Sequence, residues 1–167
     1  MPIRPVLLVP DARPKQLCAP VEHFDQELHD FVADLEETMR SHPGCVGIAA
    51  CQIGVLKRVA IVDTTVHKKH GAHSQGRMVL VNPLITRRGG ERMGREGCLS
   101  LPDFTANVRR AMDVTVQFQD EHGVARTVHC TDFEAVAMQH EVDHLDGILF
   151  LDRVANVTTD VFPRKKK

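Results

Sequence analysis

The apolar positions of the chain fall into two helical stripes and several alternating runs. Leu28, Phe31, Val32, Leu35 and Met39 recur at spacings of three and four, which puts them on one face of a helix. Asp25 can cap the start of that helix, and Pro43 and Gly44 stop it. A strand is expected over Val55 to Val62, and a short buried one over Met78 to Val81, ended by Asn82-Pro83. The charged, glycine-rich stretch 86–97 reads as a connection into Cys98-Leu99-Ser100-Leu101-Pro102. Val114, Val116 and Phe118 alternate with polar residues, as do Val124 and Val128, and Asp120-Glu121-His122-Gly123 between the two runs marks a hairpin turn. Thr131-Asp132-Phe133-Glu134 has the pattern of a capping box. The helix that it opens carries Val136, Ala137, His140, Val142, His144 and Leu145, and Gly147 marks its end. The fold class expected is α+β: antiparallel or mixed β-sheets packed around a C-terminal helix, with an N-terminal helix against the sheet.

Composition narrows the picture. At 167 residues the chain can bury a sizeable core and reads as one domain over 1–167, without repeats or an interdomain linker. The formal charge of −1 gives no electrostatic argument for nucleic acid or a membrane surface. No apolar run reaches the length of a membrane span, and the proline-rich segment 1–20 reads as an irregular arm. Five cysteines at irregular spacing, with no secretory signal in view, point to reduced thiols and a cytoplasmic protein. His67, His70 and His73 lie among glycines and lysines, so they read as a polar surface loop rather than a metal patch. Arg164 to Lys167 read as a solvated end.

The candidate chemistry lies in His140-Glu141-Val142-Asp143-His144. On a helix the two histidines leave one face a turn apart and can grip one metal ion, and Glu141 can reach a water beside it. Such a site needs a third ligand. In one common arrangement a histidine follows six residues after the second, but that position is Phe150. In another a later glutamate serves, and no glutamate follows Glu141. Upstream, Cys98 is the best candidate, since a thiolate with two imidazoles leaves a fourth position open for water. On spacing alone, a buried core cysteine accounts for it equally well.

These residues carry a family resemblance. Glu96-Gly97-Cys98-Leu99-Ser100 and Gln139-His140-Glu141-Val142-Asp143-His144 are similar to two signature motifs of the peptide deformylases, and Gly47-Ile48-Ala49-Ala50-Cys51-Gln52 resembles the third. The resemblance implies a metal-dependent hydrolase that removes the N-formyl group from the N-terminal methionine of nascent polypeptides and releases formate. It implies Cys98, His140 and His144 as metal ligands and Glu141 as general base and acid, with Gln52 and the backbone N–H of Leu99 facing the developing oxyanion. The cofactor implied is one divalent ion, commonly Fe2+, with Zn2+, Ni2+ or Co2+ able to replace it. Phe133, Val136 and Ala137, with Val46 opposite, are expected to line a pocket for the methionine side chain. Gly47, Ile48 and Gly97 complete the expected substrate contacts, the small residues letting an extended peptide pair with backbone. The partner implied is an N-formylmethionyl peptide, with the ribosome as its source, acted on by a monomer.

The chain departs from the family pattern twice. Cys45 stands where the first motif begins with glycine, and Thr105 stands where several members carry arginine, seven residues after the cysteine. Arg110 remains available to pair with Glu96. An internal-peptide-bond metallopeptidase lacks its downstream ligand here, and a non-catalytic peptide binder would need neither Gln52 nor Glu141.

Overall fold

A computed structural model describes residues 3–8, 11–67, 71, 74–154, 156 and 158–164. The first helix, α1, spans Gln26–Arg40. The Asp25 carboxylate accepts the Leu28 N–H at 3.1 Å, taking up one of the donors that every helix start leaves unpaired. All five residues of the sequence stripe are buried on its inner face. It stops at Ser41, whose N–H returns to the Glu37 carbonyl at 3.0 Å.

Among the described residues six strands follow: β1 (Gly47–Ala49), β2 (Val59–Val62), β3 (Met78–Cys98), β4 (Leu101–Gln119), β5 (Ala125–Thr131) and β6 (Val161–Pro163). They form one sheet in the order β1-β2-β3-β4-β5, with β6 also on β4, and every pairing is antiparallel rather than mixed. The second helix, α2 (Asp132–Leu145), leaves directly from β5.

The period of two along β2 and β3 sorts the core into two layers. Val59, Ile61, Val79 and Val81 face α1 together with Leu28, Phe31, Val32, Leu35 and Met39. Ala60, Val62, Met78 and Leu80 face α2 with Ala135, Ala137, Met138 and Leu145. Small residues at Ala49 and Ala60 let α2 lie close to the sheet. Full burial of each large side chain in these layers is worth about 1.5–3 kcal/mol.

Four expectations are corrected. The second strand begins at Val59, not Val55. Asn82-Pro83 does not end the third strand. It forms a bulge where the register shifts between Val81 and Leu84, and Asn82 has a left-handed φ of 52°. The Asn82 amide stabilises that bulge by accepting from Val21 N–H at 2.7 Å and donating to Val21 O and Gln119 Oε1. The stretch 86–97 is not a loose connection but the outer half of β3, paired residue by residue with β4. Its side chains are mostly exposed, so no alternation betrays it, and its hydrogen bonds come from the neighbouring strand. The capping box does not form: Asp132 enters α2 with a φ of 52°, and Thr131 makes no side-chain cap. Buried Glu134 instead accepts from the Gln75 N–H at 2.8 Å and its side-chain amide at 2.7 Å, which holds the segment before β3.

Two other readings are met. The 120–123 turn joins β4 to β5. Gly147, with a φ of 76°, ends α2 in a Schellman arrangement, the Ile148 N–H reaching Asp143 O at 2.8 Å. Among the described residues no helix is long and apolar enough to cross a membrane. His70 and His73 lie outside the described residues, while the His67 ring packs 4.3 Å from that of Phe133.

Candidate metal centre and substrate groove

Two elements bring three ligand-type side chains together. α2 presents His140 and His144 one turn apart, their ring centroids separated by 5.0 Å. The last residue of β3 presents Cys98, whose Sγ lies 3.3 Å from His144 Nε2. One ligand atom from each of the three lies within 4.8 Å of the others, so the group is able to hold one metal ion. A thiolate with two imidazoles is a donor set that suits zinc or ferrous iron and leaves room for water.

The surrounding charges fix the ligands. Glu96 Oε1 sits 2.9 Å from His140 Nδ1, which turns the other ring nitrogen toward the centre. Arg110 grips both oxygens of Glu96, at 2.8 and 3.0 Å, and with its remaining nitrogen reaches Asp143. Arg153 closes on Asp143 from the other side at 2.9 and 2.7 Å. Asp143 therefore faces away from the metal group and anchors the helix. Gln139 sets the helix in register with β4: its Oε1 accepts the Ala111 N–H at 3.1 Å and its Nε2 donates to Ala111 O at 2.6 Å.

Protonation follows from this packing. Burial pushes the Cys98 thiol up, but the positive pull of His144 and hydrogen bonds from both histidines outweigh it and hold it well below the ordinary thiol range. Burial also works against the Glu96 carboxylate, yet His140 and Arg110 bring it down to about 2. Glu141 goes the other way. Its burial raises it, and Cys98 and Glu96 oppose the lowering effect of the histidines. Glu141 Oε1 is buried with no hydrogen-bond partner among the described residues, and its carboxylate lies against Gly47, where a Cβ would stand only 2.6 Å from Oε2.

Across from Glu141, a short 3₁₀ turn over Ala50–Ile53 presents Gln52. Its Oε1 accepts the Ala49 N–H at 2.9 Å, which directs the NH2 toward Ser100 Oγ at 3.2 Å and Cys98 Sγ at 3.5 Å. Leu99 and Ser100 form the two-residue turn between β3 and β4.

A cavity of about 990 Å³ opens over this group. Val46, Gly47, Gln52, Gly97, Cys98 and Leu99 line one side, and Phe133, Val136, Ala137, His140 and Glu141 line the other. Fully buried His144 is not among the lining residues. Nor is Ile48, whose side chain is packed under α1, so only its backbone remains near the groove.

A sequence profile described as polypeptide deformylase matches residues 3–160. The chain belongs to the polypeptide deformylase family. A peptide deformylase of Rhizobium meliloti (strain 1021) is 39% identical over 166 residues, covering 99% of this chain and 92% of that one. The crystal structure of a peptide deformylase from Legionella pneumophila shares 38% identity and a TM-score of 0.84 over 93% of this chain and 88% of its own. A class I type b peptide deformylase from Acinetobacter baumannii with Met-Ala-Ser bound is 34% identical, with a TM-score of 0.84 over 91% and 98% of the two chains. Deformylases remove the N-formyl group by metal-dependent hydrolysis, and the chain is a hydrolase of this kind.

Of the two departures from the deformylase pattern, Cys45 lines the groove and Thr105 lies behind its Gly97 wall. Cys45 donates from Sγ to Gly47 O at 3.1 Å, and burial pushes its thiol up to about 12. Thr105 lies on β4 opposite Phe162 of β6 and accepts from Arg95 at 3.4 Å. Sequence reasoning missed several lining residues: Val108 and Met112 of β4, Arg92, Met93 and Arg95 of β3, and Arg164. The strand residues carry no local signal, because only the β3–β4 pairing brings them beside the groove. Arg164 reads as part of a solvated tail until β6 is seen to fold back.

Proposed function

We propose that the groove removes the formyl group of N-formylmethionyl peptides, with Cys98, His140 and His144 as ligands of one divalent ion and Glu141 as the proton carrier. The observation that carries this reading is the convergence of three ligand atoms within 4.8 Å beside a buried carboxylate oxygen that has no hydrogen-bond partner among the described residues. A divalent ion held there supplies a Lewis acid that makes water a sufficient nucleophile near neutral pH.

The chain's own residues then divide the work. Glu141, raised by its burial, accepts a proton from the attacking water and returns it to the nitrogen of the leaving methionine. The formyl oxygen, negative after attack, is met by the Gln52 side-chain NH2 and the Leu99 backbone N–H, donors that add no charge of their own. Phe133, Val136 and Ala137, with Val46 across from them, receive the methionine side chain. β1 pairs only with β2 among the described strands, so its other edge can take up an extended peptide at Gly47, whose carbonyl also accepts the Cys45 thiol, with Gly97 on the facing wall. Ferrous iron is the proposed ion, and the same donors accept Zn2+, Ni2+ or Co2+. The proposed setting is the cytoplasm, on chains leaving the ribosome, by a monomer. Five free cysteines agree with a reducing compartment.

The test is formate release from N-formyl-Met-Ala-Ser under anaerobic conditions, with each of the four metals supplied in turn. Cys98→Ala and His140→Ala are expected to lose bound metal. Glu141→Ala is expected to keep it and lose about 10²–10⁴-fold in turnover. Near-normal deformylation by Glu141→Ala would refute this mechanism.

A further inference from the structure

The end of the described chain returns to the groove. β6 pairs with β4 at Phe104, Thr105 and Ala106, and one residue later the Arg164 N–H donates to Asp103 O at 2.8 Å. This pins the Arg164 backbone beside the mouth of the cavity, and its guanidinium lies across Gly97. The flexible end of Arg164, its Nη2, occupies the space that a Cβ at Gly97 would take next to Cys98. Thr105, the residue β6 pairs against, is short enough to leave that space open: its Cγ2 would be 3.5 Å from the same Cβ.

Two more guanidinium groups line the same rim. Arg95 stacks 3.8 Å from the centroid of the Phe162 ring and donates to Asn107 Oδ1 at 3.2 Å, so β6 orders it too. Arg92 also borders the cavity. Arg110 has Glu96 and Asp143 as partners, whereas Arg92, Arg95 and Arg164 make no ion pair with any described residue. Of the carboxylates that line the cavity, Glu96 is held by Arg110 and His140, Glu134 binds Gln75, Glu141 lies deep against Gly47, and Asp132 lies on the Phe133 wall. The rim beside Gly97 is thus cationic, and none of these three guanidinium groups is ion-paired among the described residues.

We propose that Arg164 is a substrate-selecting residue: it binds a carboxylate carried by the peptide one or two positions beyond the formylmethionine. This rests on the deformylase reading above and adds a preference among its substrates. Geometry sets the position. Gly97 adjoins Cys98, and an extended peptide advances about 3.3 Å per residue, so the residues that follow the methionine pass beneath the guanidinium. Guanidinium is suited to the task because its planar fork can hold both oxygens of a carboxylate. The carboxylate has two sources, an acidic side chain or the free C-terminus of a short peptide, and the probes separate them.

The metal-loaded full chain would be assayed with C-amidated formyl-Met-Glu-Ala and formyl-Met-Ala-Glu, their glutamine counterparts, and formyl-Met-Ala-Gln with a free C-terminal carboxylate. Dissociation constants of the matching unformylated peptides would be read by calorimetry. The expected wild-type preference for at least one carboxylate-bearing peptide is about five-fold, carried by KM and weakened by added salt. Whichever peptide shows it names the source. Arg164→Ala is expected to collapse the ratio toward one, and Arg164→Lys to keep part of it. The proposal is overturned if the wild type does not distinguish the peptides, if Arg164→Ala keeps the ratio, or if it weakens every peptide equally. Absence of formate release from all of them would sink the deformylase reading instead, while the calorimetric ratio would still decide the role of Arg164.

Discussion

At the scale of the residue, a glycine makes the room that a carboxylate occupies. Gly47 leaves only enough space for Glu141, since a Cβ would approach Oε2 to 2.6 Å and Cδ and Cγ to 3.0 Å. Gly47→Ala is therefore expected to displace Glu141 while leaving Cys98, His140 and His144 in place. Formate release should fall by about tenfold or more, with metal content unchanged. Loss of metal in that variant would mean that the helix, and not the carboxylate alone, had moved. The same glycine carbonyl accepts the Cys45 thiol, so this one residue is confined from both sides.

At the scale of the element, α1 is tied to the end of β2 by charge. Arg40, in its last turn, donates to Asp63 at 2.7 Å, and Asp63 also accepts from the Thr65 N–H at 3.0 Å and from its hydroxyl. Burial pushes Asp63 up, but Thr65 and Arg40 together outweigh it, and the carboxyl lies below its ordinary range. A carboxyl lowered on folding contributes stability above its unfolded pKa, about 3.9, and that contribution disappears as pH falls through the lowered folded value. Asp63→Asn should thus cost about 1 kcal/mol at pH 7, and the gap from wild type should close in acid. Urea midpoints measured from pH 7 down to pH 3 check both the loss and its direction. α1 was legible in the sequence because its signals are local: a cap, a stripe and a stop. The β4–β5 hairpin was legible for the same reason, as alternation around a turn. The outer half of β3 was not, because residues 86–97 face solvent and owe their conformation to a strand that comes later in the chain. Glu134 misled in the same way, since its partner Gln75 lies 59 residues earlier.

At the scale of the whole molecule, one buried charge network joins the sheet to both ends of the metal group. It runs from His140 through Glu96 and Arg110 to Asp143 and Arg153, and the Arg110, Glu96 and Asp143 side chains are only 3%, 6% and 5% exposed. Arg110→Met would leave two buried carboxylates facing each other with one cation removed. The expected loss is about 3–5 kcal/mol, nearer the lower figure because Arg153 still serves Asp143. Chemical denaturation measures it, and turnover should fall as well because Glu96 no longer orients His140. The motif His140-Glu141-Val142-Asp143-His144 was readable without the fold, and so was the pairing of Arg110 with Glu96. The orientation of Asp143 away from the centre, the burial of Ile48 and the reach of Arg164 depend on how the sheet is stacked, which no window of sequence contains.

Gln139 has a second consequence. β5 covers β4 from Asp113 to Gln119 and β6 covers it from Phe104 to Ala106, so the same margin of β4 would lie bare between them. The Gln139 amide meets both the N–H and the C=O of Ala111 there, as a neighbouring strand residue would. An open margin of that kind is a template for strands of other molecules. The helix that supplies two of the proposed ligands thereby also blocks this margin against intermolecular pairing, and guards the protein against aggregation.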